Sequence, residues 1–548
     1  MKRIELSITG MTCDHCVSKV EGALKAINGV TDVGVSLEKA MAWLNASSGV
    51  SPDELVRAVE NAGYHATVPA EAEAPLSASK QAQELVIIGG GSAGFAAAIK
   101  AWELGARVTI IEHSTIGGTC VNVGCVPTKT LIRAAQTYYQ GFHHNFDGID
   151  ARPGPLDFKR IISQKDALVS TLRKEKYEEV LDSYKGLRYI KGHAMIKRDN
   201  EDRIIVDAGK ETLKPDKLII ATGAHPWVPP IEGLDKIKYL TSTEALTLKG
   251  LPQGLIIIGG SAVGLEFAQI FSRFGSRVYV IEAMPYVLPP EGEEAGNAVA
   301  GYLGQEGIGF FTGARVNMVR YDGEYTVDFE INGKSHSINV GHLLVATGRR
   351  ANTTGFGIEE SGIGIGKKGE IEVDKYLQTS HPDVYAVGDV IGDPMFVYVA
   401  AYAGNTAAEN ALSGNRQVFD LSVLPRVTFT DPQVASVGLT EEQAKSQGID
   451  YKSSRLDMKY VPRALAARDT RGFVRLVAQK DTGRLLGAQI VSSEAGEMIM
   501  EATLSIKYNI TIPELAARMH PYLTLSEGIK LAAQSFERDV SKLSCCSA

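Results

Sequence analysis

Features that would direct a protein to a membrane or to nucleic acid are missing from this sequence of 548 residues. No apolar run is long enough to cross a bilayer, and the first residues, MKRIELSITG, lack the apolar core of a secretory signal. Lys and Arg number 57 against 64 Asp and Glu, and the net charge of -7 provides no basic field for a nucleic acid. We therefore expect a cytoplasmic protein without a membrane span or a nucleic-acid partner.

Cysteine is also scarce, and the 6 cysteines stand in close pairs with none left over. The pairs are Cys13 with Cys16, Cys120 with Cys125, and Cys545 with Cys546. Structural thiols scatter through protein cores and are inert there, so this pairing indicates sulfur placed for chemistry. In the cytoplasm, neighbouring thiols stay reduced unless catalysis oxidises them.

The composition changes sharply once, at residues 69–83, where PAEAEAPLSASKQAQ has no apolar periodicity and predicts a linker. The module before it has the order strand, helix, strands, helix, which predicts a ferredoxin-like βαββαβ fold. Cys13 should lie in a loop and Cys16 at a helix start, where the dipole favours a thiolate. Two soft thiolates there suit a soft, two-coordinate cation, and a redox CxxC motif is the alternative.

Two dinucleotide-binding signatures follow the linker. The first has a strand, a glycine-rich turn, a helix and a second strand that ends in a carboxylate, and its key residues are Gly89, Gly91, Gly94 and Glu112. Such glycines let the backbone approach a pyrophosphate at a helix start, and the carboxylate accepts ribose hydroxyls. This full context makes the prediction much stronger than an isolated GxGxxG motif.

The second signature repeats the first with Gly259, Gly264 and Glu282. The carboxylate falls at the same offset in both copies, since 112 minus 89 and 282 minus 259 both equal 23. Ser261 replaces the middle glycine, so a small side chain stands where the backbone approaches the phosphates. Two such folds and a Cx4C pair just after the first indicate electron transfer between two cofactors and a disulfide.

Two family resemblances rest on whole motifs. GMTCDHC at 10–16 resembles the heavy-metal-associated domain, and GGTCVNVGCVPTK, LIIATG, LLVATG and VYAVGDV resemble the FAD-dependent pyridine nucleotide disulfide oxidoreductases. The second resemblance implies FAD in the first fold and a nicotinamide nucleotide in the second. It also implies that Cys120 is the interchange thiol and that Cys125 stacks on the flavin. Further cofactor-binding positions inside these motifs are Gly118, Thr119, Lys129, Gly223, Gly348 and Asp389. Lys129 and Glu266 correspond to a pair beside the flavin.

The three cysteine pairs together resemble the mercury(II)-reducing members of this family over essentially the whole chain. The resemblance implies NAD(P)H-dependent reduction of thiol-bound mercury(II), the substrate, with metal passed from Cys13/Cys16 or a small thiol to Cys545/Cys546 and then to Cys120/Cys125. It places Tyr177 and Tyr522 at the metal site. A mercury transport protein is a candidate donor to the N-terminal module.

Two departures leave questions open. Disulfide reductases carry a His-Glu acid-base pair, and here His520 and Glu527 are separated by an inserted Tyr522, so we leave this dyad open. Glu282 accepts a 2'-hydroxyl and repels a 2'-phosphate, which favours NADH, whereas the resemblance implies NADPH. Arg273 and Arg277 are near enough in sequence to offer a phosphate contact.

The expected fold class is α/β, with two Rossmann-like domains, an α+β dimerisation domain and the small N-terminal module. The resemblance implies a homodimer in which each tail reaches the other subunit. The expected order is the heavy-metal-associated domain at 1–68, linker at 69–83, FAD domain at 84–234, NAD(P) domain at 235–355, return to the FAD domain at 356–420, and dimerisation domain at 421–548.

Two other functions remain open from the sequence. A dihydrolipoamide-type disulfide reductase with a fused metal domain would turn over an organic disulfide without needing the tail cysteines. A metal-sequestering protein would bind mercury(II) tightly without removing it from solution.

Overall fold

The computed structural model describes residues 2–9, 11, 14–37, 40–47, 50–67, 82–151, 154–201 and 203–542. Cys13, Cys545 and Cys546 and most of the predicted linker lie outside these residues. The chain divides into two compact units, residues 1–76 and 77–548. Among the described residues, no helix combines the length and apolarity that a membrane span requires.

The smaller unit is a four-stranded antiparallel sheet with two helices. Its elements are β1 (Lys2–Thr9), α1 (Asp14–Lys25), β2 (Val30–Ser36), β3 (Met41–Ala46), α2 (Pro52–Asn61) and β4 (His65–Thr67). The strand order β2-β3-β1-β4 and the sequence βαββαβ match the ferredoxin-like prediction. Leu6, Val20, Leu24 and Leu55 are fully buried between sheet and helices. Cys16 lies in the first turn of α1, half-buried, as predicted.

Among its described residues, the larger unit contains both nucleotide folds, a C-terminal antiparallel sheet and three smaller antiparallel sheets. Its strands are β5 (Glu84–Ile88), β6 (Arg107–Glu112), β7 (Arg188–Lys191), β8 (Ala194–Arg198), β9 (Ile204–Ala208), β10 (Glu211–Leu213), β11 (Lys217–Ile220), β12 (Ala224–Pro226), β13 (Gly254–Ile258), β14 (Arg277–Ile281), β15 (Gly309–Phe311), β16 (Ala314–Tyr321), β17 (Tyr325–Ile331), β18 (Lys334–Val340), β19 (His342–Val345), β20 (Arg349–Ala351), β21 (Val384–Ala386), β22 (Arg426–Thr428), β23 (Gln433–Gly438), β24 (Tyr451–Asp457), β25 (Phe473–Gln479) and β26 (Leu485–Ser492).

Helices cover the faces of these sheets. They are α3 (Ser92–Glu103), α4 (Gly118–Val123), α5 (Cys125–Gln140), α6 (Phe158–Arg173), α7 (Glu179–Ser183), α8 (Ser242–Ala245), α9 (Ala262–Phe274), α10 (Glu293–Gln305), α11 (Val397–Ser413), α12 (Glu441–Ser446), α13 (Pro462–Ala466), α14 (Ala495–Lys507), α15 (Ile512–Ala517) and α16 (Glu527–Gln534). A π-helical turn, Lys174–Glu178, joins α6 to α7.

Both nucleotide folds are parallel sheets whose central strands are apolar on both faces, as strands covered by helices on both sides must be. The first has the order β21-β11-β5-β6-β7, and the second has the order β15-β14-β13-β19. Strand β21 comes from far along the chain and pairs in parallel with β11. The segment after the second fold therefore returns to complete the first sheet.

The C-terminal part forms an antiparallel sheet of order β22-β23-β26-β25-β24. Helices α14 and α16 pack on it through residues that include Met498, Ile499 and Ile529. A row of apolar side chains on α14, Met500 and Leu504, continued by Tyr508, is about half exposed or more.

A buried ion network ties this C-terminal part to the second fold. Arg273 on α9 contacts Glu306 at 2.6 Å and Asp431 at 2.9 Å, and all three side chains are less than a tenth exposed. Arg471 contacts Asp431 and Asp469, each at 2.8 Å. A buried charge that loses its partner strongly destabilises a fold. The network therefore fixes the loop before β23 against α9.

Replacing Arg273 by Met should destabilise the larger unit by about 3–5 kcal/mol, because the acidic partners would stay buried with less compensating charge. The measurement is the urea midpoint of the full chain. Arg203→Met is the matched control, since Arg203 pairs with Asp199 in an exposed position and its loss should change little. Equal midpoints for the two variants would show that the network does not hold the fold together.

Candidate active site

The cysteine pair lies where two helices meet. Cys120 is inside α4, and Cys125 is the first residue of α5, whose 16 residues direct their dipole at its sulfur. Gly124 separates the helices, and a Cβ there would come within 2.9 Å of the Thr119 carbonyl oxygen. Only glycine permits this close approach, so the spacing of the motif positions both sulfurs at one helix start.

The two thiols differ strongly in acidity because they share a hydrogen bond. The Cys120 thiol donates to the Cys125 sulfur, and this hydrogen bond, aided by the charge of Lys129 and opposed by burial, lowers the pKa of Cys125 to about 7. The same hydrogen bond, with burial and the charge on Cys125, raises the pKa of Cys120. Above about pH 7 the reduced pair is thus one thiol, on Cys120, and one thiolate, on Cys125.

Lys129 lies one turn along α5 and forms an ion pair with Glu266 on α9, at 2.9 and 2.7 Å from the two carboxylate oxygens. Glu266 is only 5% exposed and also accepts a hydrogen bond from the backbone N–H of Phe429 at 3.0 Å. The Lys129 ammonium lies over the Phe429 ring, 4.7 Å from its centre. The structure therefore brings together this pair, as predicted, and adds Phe429, which the sequence did not single out.

Tyr177 reaches the same region from the π-helical turn. Its ring lies against the turn before α4, where a Cβ on Gly117 would be 3.2 Å from it, and its hydroxyl is 3.5 Å from the Ser92 hydroxyl. Burial raises the pKa of Tyr177, and the charges of Cys120 and Cys125 add to the effect. The phenol is therefore a neutral hydrogen-bond donor beside the sulfur pair.

The two glycine-rich turns have the same geometry. A Cβ on Gly94 would lie 2.0 Å from the Gly89 carbonyl oxygen, and one on Gly264 would lie 1.9 Å from that of Gly259. Neither position can carry a side chain, because the helix start must pack against the strand end. Both folds are therefore built to let a backbone turn approach a ligand closely.

The acidic residues at the strand ends also correspond. Glu112 accepts backbone hydrogen bonds from Gly90 and Ser114 at 2.7 and 2.6 Å. Glu282 accepts them from Gly260 and Met284 at 2.6 and 2.8 Å. Each carboxylate retains lone pairs for ribose hydroxyls.

Other predicted cofactor-binding positions lie beside the first glycine-rich turn or just after parallel strands. A Cβ on Gly118 would meet the Gly91 Cα at 2.7 Å, so this turn touches the start of α4, where Thr119 follows. Gly223 and Gly348 both have positive φ angles, at the ends of the segments after β11 and β19. These positions lie at the carboxyl ends of parallel strands, where dinucleotides bind.

Asp389 and Arg349 provide the test of fit for a flavin. They are 3.9 Å apart, and burial raises the pKa of Asp389 and lowers the pKa of Arg349. The buried Nε of Arg349 has no hydrogen-bond partner among the described residues. A half-buried acid and base near Cys125, with one nitrogen of the base lacking a hydrogen-bond partner, fit a polar, anionic cofactor.

The structure does not favour the phosphate contact that the sequence left open for Arg273 and Arg277. Arg273 is buried in the ion network with Glu306 and Asp431. Arg277 begins β14, whereas nucleotides bind at the carboxyl end of such a strand, after Ile281. Sequence proximity misled here because strand direction and distant partners decide where these side chains lie.

The open His520–Glu527 dyad is not formed. The Nε2 of His520 pairs with Glu501 on α14 at 2.7 Å, and its Nδ1 is 3.3 Å from the Arg518 carbonyl oxygen. This hydrogen bond to Glu501 raises the pKa of His520. Glu527 is buried, and its Oε2 has no partner in the part of the chain that is described. Glu501 resembles an ordinary surface residue in the sequence, so this partner could not have been found there.

The other predicted metal-site residues include Tyr522, Cys13, Cys545 and Cys546. Tyr522 lies between α15 and α16, with its side chain about half exposed, and Cys13, Cys545 and Cys546 lie outside the described residues. Among the described residues, no cluster of three or more His, Cys, Asp or Glu side chains forms a metal site.

Family models match nearly all of the chain. Residues 83–404 match the pyridine nucleotide-disulphide oxidoreductase family, 424–533 its dimerisation domain, and 5–65 the heavy-metal-associated domain. The larger unit also resembles solved structures. The HOCl-induced flavoprotein disulfide reductase RclA of Escherichia coli, in its Cu(II) complex, has a TM-score of 0.73 at 31% identity, covering 83% of this chain and 99% of that one. LpdA of Mycobacterium tuberculosis has a TM-score of 0.73 at 26% identity, covering 83% and 100%.

Curated relatives cover the full length. The mercuric reductase of Shewanella putrefaciens is 44% identical over 99% of this chain and 100% of its own. That of Lysinibacillus sphaericus is 40% identical over 100% of both chains. These matches confirm the predicted fold class and family, and the family name implies a flavin and a nicotinamide cofactor. The chain belongs to the pyridine nucleotide-disulphide oxidoreductase family and, within it, to the mercuric reductases, and it carries a heavy-metal-associated domain.

Proposed function

We propose that this chain reduces thiol-bound mercury(II) to the neutral metal with electrons from a nicotinamide nucleotide. The observation that carries the proposal is the Cys120–Cys125 pair, which presents one thiolate and one thiol beside two dinucleotide folds. Soft thiolates are the preferred ligands of soft cations. The overall reaction consumes one reduced nucleotide and one proton, and releases the neutral metal and two thiols from each mercury dithiolate.

FAD is the proposed occupant of the first fold. Gly89, Gly91 and Gly94 would leave room for its pyrophosphate, Glu112 would accept its ribose hydroxyls, and Asp389 would hold its ribityl chain. When bound, the flavin supplies a two-electron link between the nicotinamide nucleotide in the second fold and the Cys120–Cys125 disulfide. Lys129 and Glu266 would orient the cofactor, and the charge of Lys129 would favour the ionised form of Cys125.

Cys120 is the proposed point of metal entry. Cys120 attacks as a thiolate once its proton has passed to Cys125 along their shared hydrogen bond, and it displaces one sulfur ligand of a mercury dithiolate. Cys125 then displaces the other ligand, which takes up the proton as it leaves, so that the metal stays bound to sulfur throughout. Tyr177, neutral and beside the pair, can donate a hydrogen bond to a metal-bound or departing sulfur. Tyr522 would contribute from a second subunit.

The proposed enzyme is a homodimer. The family model for residues 424–533 is a dimerisation domain, and the exposed apolar row of α14 lies within it. A second copy of this chain is the proposed occupant of that face, and it would bring Cys545, Cys546 and Tyr522 to the other subunit's Cys120–Cys125 pair.

The N-terminal unit is a proposed collector of metal. Cys13 and Cys16 would take mercury(II) from small thiols or from a mercury transport protein and pass it to the tail. We place the enzyme in the cytoplasm, where its thiol pairs would stay reduced between turnovers.

The test of function is to supply the purified full chain with NAD(P)H, excess small thiol and mercury(II) while trapping volatile metal. Nucleotide oxidation matched by trapped metal is expected. Oxidation that requires an organic disulfide instead would identify a disulfide reductase, and tight binding without volatilisation would identify a sequestering protein.

In the reduced enzyme, one thiolate assigned to Cys125 should titrate near pH 7, since its pKa lies at about 7. Below this pH the sulfur is protonated, and above it the thiolate is present. Lys129→Gln removes a nearby positive charge and Cys120→Ala removes the hydrogen-bond donor, so both should move the midpoint to higher pH. The measurement is thiolate ultraviolet absorbance, taken as a difference against Cys125→Ser.

Lys176→Gln is the control for that titration, because Lys176 is exposed on the π-helical turn and should leave the midpoint unchanged. An unshifted midpoint in both Lys129→Gln and Cys120→Ala would contradict the assigned origin of the low pKa.

Replacing Cys545 and Cys546 together by Ala should slow reduction of mercury(II) held by a bulky dithiol by about tenfold or more, since the exchange step that strips the chelator is lost. Reduction of the bound flavin by NAD(P)H should be unaffected. The matched control replaces the flanking Ser544 and Ser547 by Ala. Full turnover of the chelated substrate by the cysteine variant would exclude the tail as a relay.

A further inference from the structure

We propose that the second nucleotide fold selects NADH over NADPH and that Glu282 is the residue that determines this specificity. The inference rests on the proposed function only in that a nicotinamide nucleotide enters this fold. The resemblance to mercury-reducing enzymes implies NADPH. NADH fits this fold better, because the ribose end of the fold has the wrong charge for a 2'-phosphate.

The Glu282 carboxylate is fixed where the adenosine ribose would lie. It follows the last residue of β14, is only 8% exposed, and has both oxygens bound to backbone N–H groups of Gly260 and Met284. Its own backbone N–H donates to the Phe311 carbonyl oxygen at 2.8 Å. A carboxylate whose two oxygens are both held by backbone N–H groups does not swing away readily to admit a phosphate.

The equivalent carboxylate of the first fold, Glu112, indicates which ribose the Glu282 arrangement would bind. Glu112 is held by the equivalent backbone groups, Gly90 and Ser114, with similar distances. The flavin nucleotide proposed for that fold has a free 2'-hydroxyl, which a carboxylate binds as an acceptor. The same constellation in the second fold therefore suits the same sugar.

In the described part of the chain, β14 and the segment that follows it offer no cation to neutralise a 2'-phosphate at Glu282. The sequence from 278 to 314 contains no Lys, Arg or His. Arg273 is committed to Glu306 and Asp431, and Arg277 is at the far end of β14.

The neighbouring ribbon of β16, β17 and β18 does not change this balance. Arg315 is paired in register with Glu330, so a carboxylate lies directly across from it. His336 stacks on Phe329, with 5.4 Å between ring centres. The 2'-phosphate of NADPH carries nearly two negative charges. It would thus lie against a fixed carboxylate with no positive side chain dedicated to neutralising it among the residues considered above.

The experiment is calorimetric titration of the oxidised, flavin-loaded enzyme with ADP-ribose and with 2'-phospho-ADP-ribose, which bind without electron transfer. ADP-ribose should bind about tenfold or more tightly, because like charges at contact distance cost more than 1.4 kcal/mol. Glu282→Gln should remove most of the difference. Ala283→Arg, at an exposed position that leaves the Glu282 hydrogen bonds intact, should strengthen binding of the phosphorylated probe.

Arg277→Ala is the control and should bind both probes like the parent enzyme. Tighter binding of 2'-phospho-ADP-ribose than of ADP-ribose by the parent enzyme would overturn the proposal. If that tighter binding were then lost in Arg315→Ala, Arg315 would be the phosphate contact. Preference for NADPH with mercury reduction intact would refute this inference alone, whereas absence of mercury reduction with either nucleotide would refute the proposed function.

Discussion

The ion pair between Lys129 and Glu266 is the interaction on which the rest of the site depends. Glu266 is almost fully buried, so its carboxylate requires a partner, and Lys129 meets it from another nucleotide fold. Phe429, from the C-terminal part, completes the contact with its backbone N–H and its ring. One buried charge thus joins three parts of the larger unit at the helix that begins with Cys125. The same ammonium helps to lower the pKa of Cys125, so the geometry and acidity of the thiolate have a common origin.

The two nucleotide folds share their turns but differ in what covers them. Ala93 and Val263 occupy equivalent positions, four residues after the first glycine of each motif. Ala93 is buried because the returning segment packs on it, and a Cβ on Gly404 would lie 2.2 Å from its carbonyl oxygen. Val263 is 42% exposed, since nothing in the described residues covers it to the same degree. A covered site suits a resident flavin, and an open one suits a nucleotide that must leave after each turnover.

Local pattern predicted the folds, the cysteine helices and the corresponding acidic residues, because these follow from strand-turn-helix order and glycine spacing. It also placed Lys129 and Glu266 together, although only through the family resemblance, since 137 residues separate them. It failed for Arg273, whose partners Glu306 and Asp431 lie 33 and 158 residues away. It failed again for Arg277, because the direction of β14 decides which end of the strand meets the nucleotide. The partner of His520 was equally hidden, since Glu501 faces it only after α14 has packed on the sheet.

The cysteine pair shares one proton, and this proton can replace the His-Glu acid-base dyad of the disulfide reductases. A disulfide reductase must protonate an organic thiolate as it leaves, which is the task of a His-Glu pair. Here the reduced pair holds one proton on Cys120 and a negative charge on Cys125. When both sulfurs bind mercury(II), that proton is released as two sulfur ligands depart, and one of them can leave as a neutral thiol. Binding of the metal therefore releases the Cys120 proton to the departing sulfur ligand. No separate acid is needed, and His520 can pair with Glu501 instead.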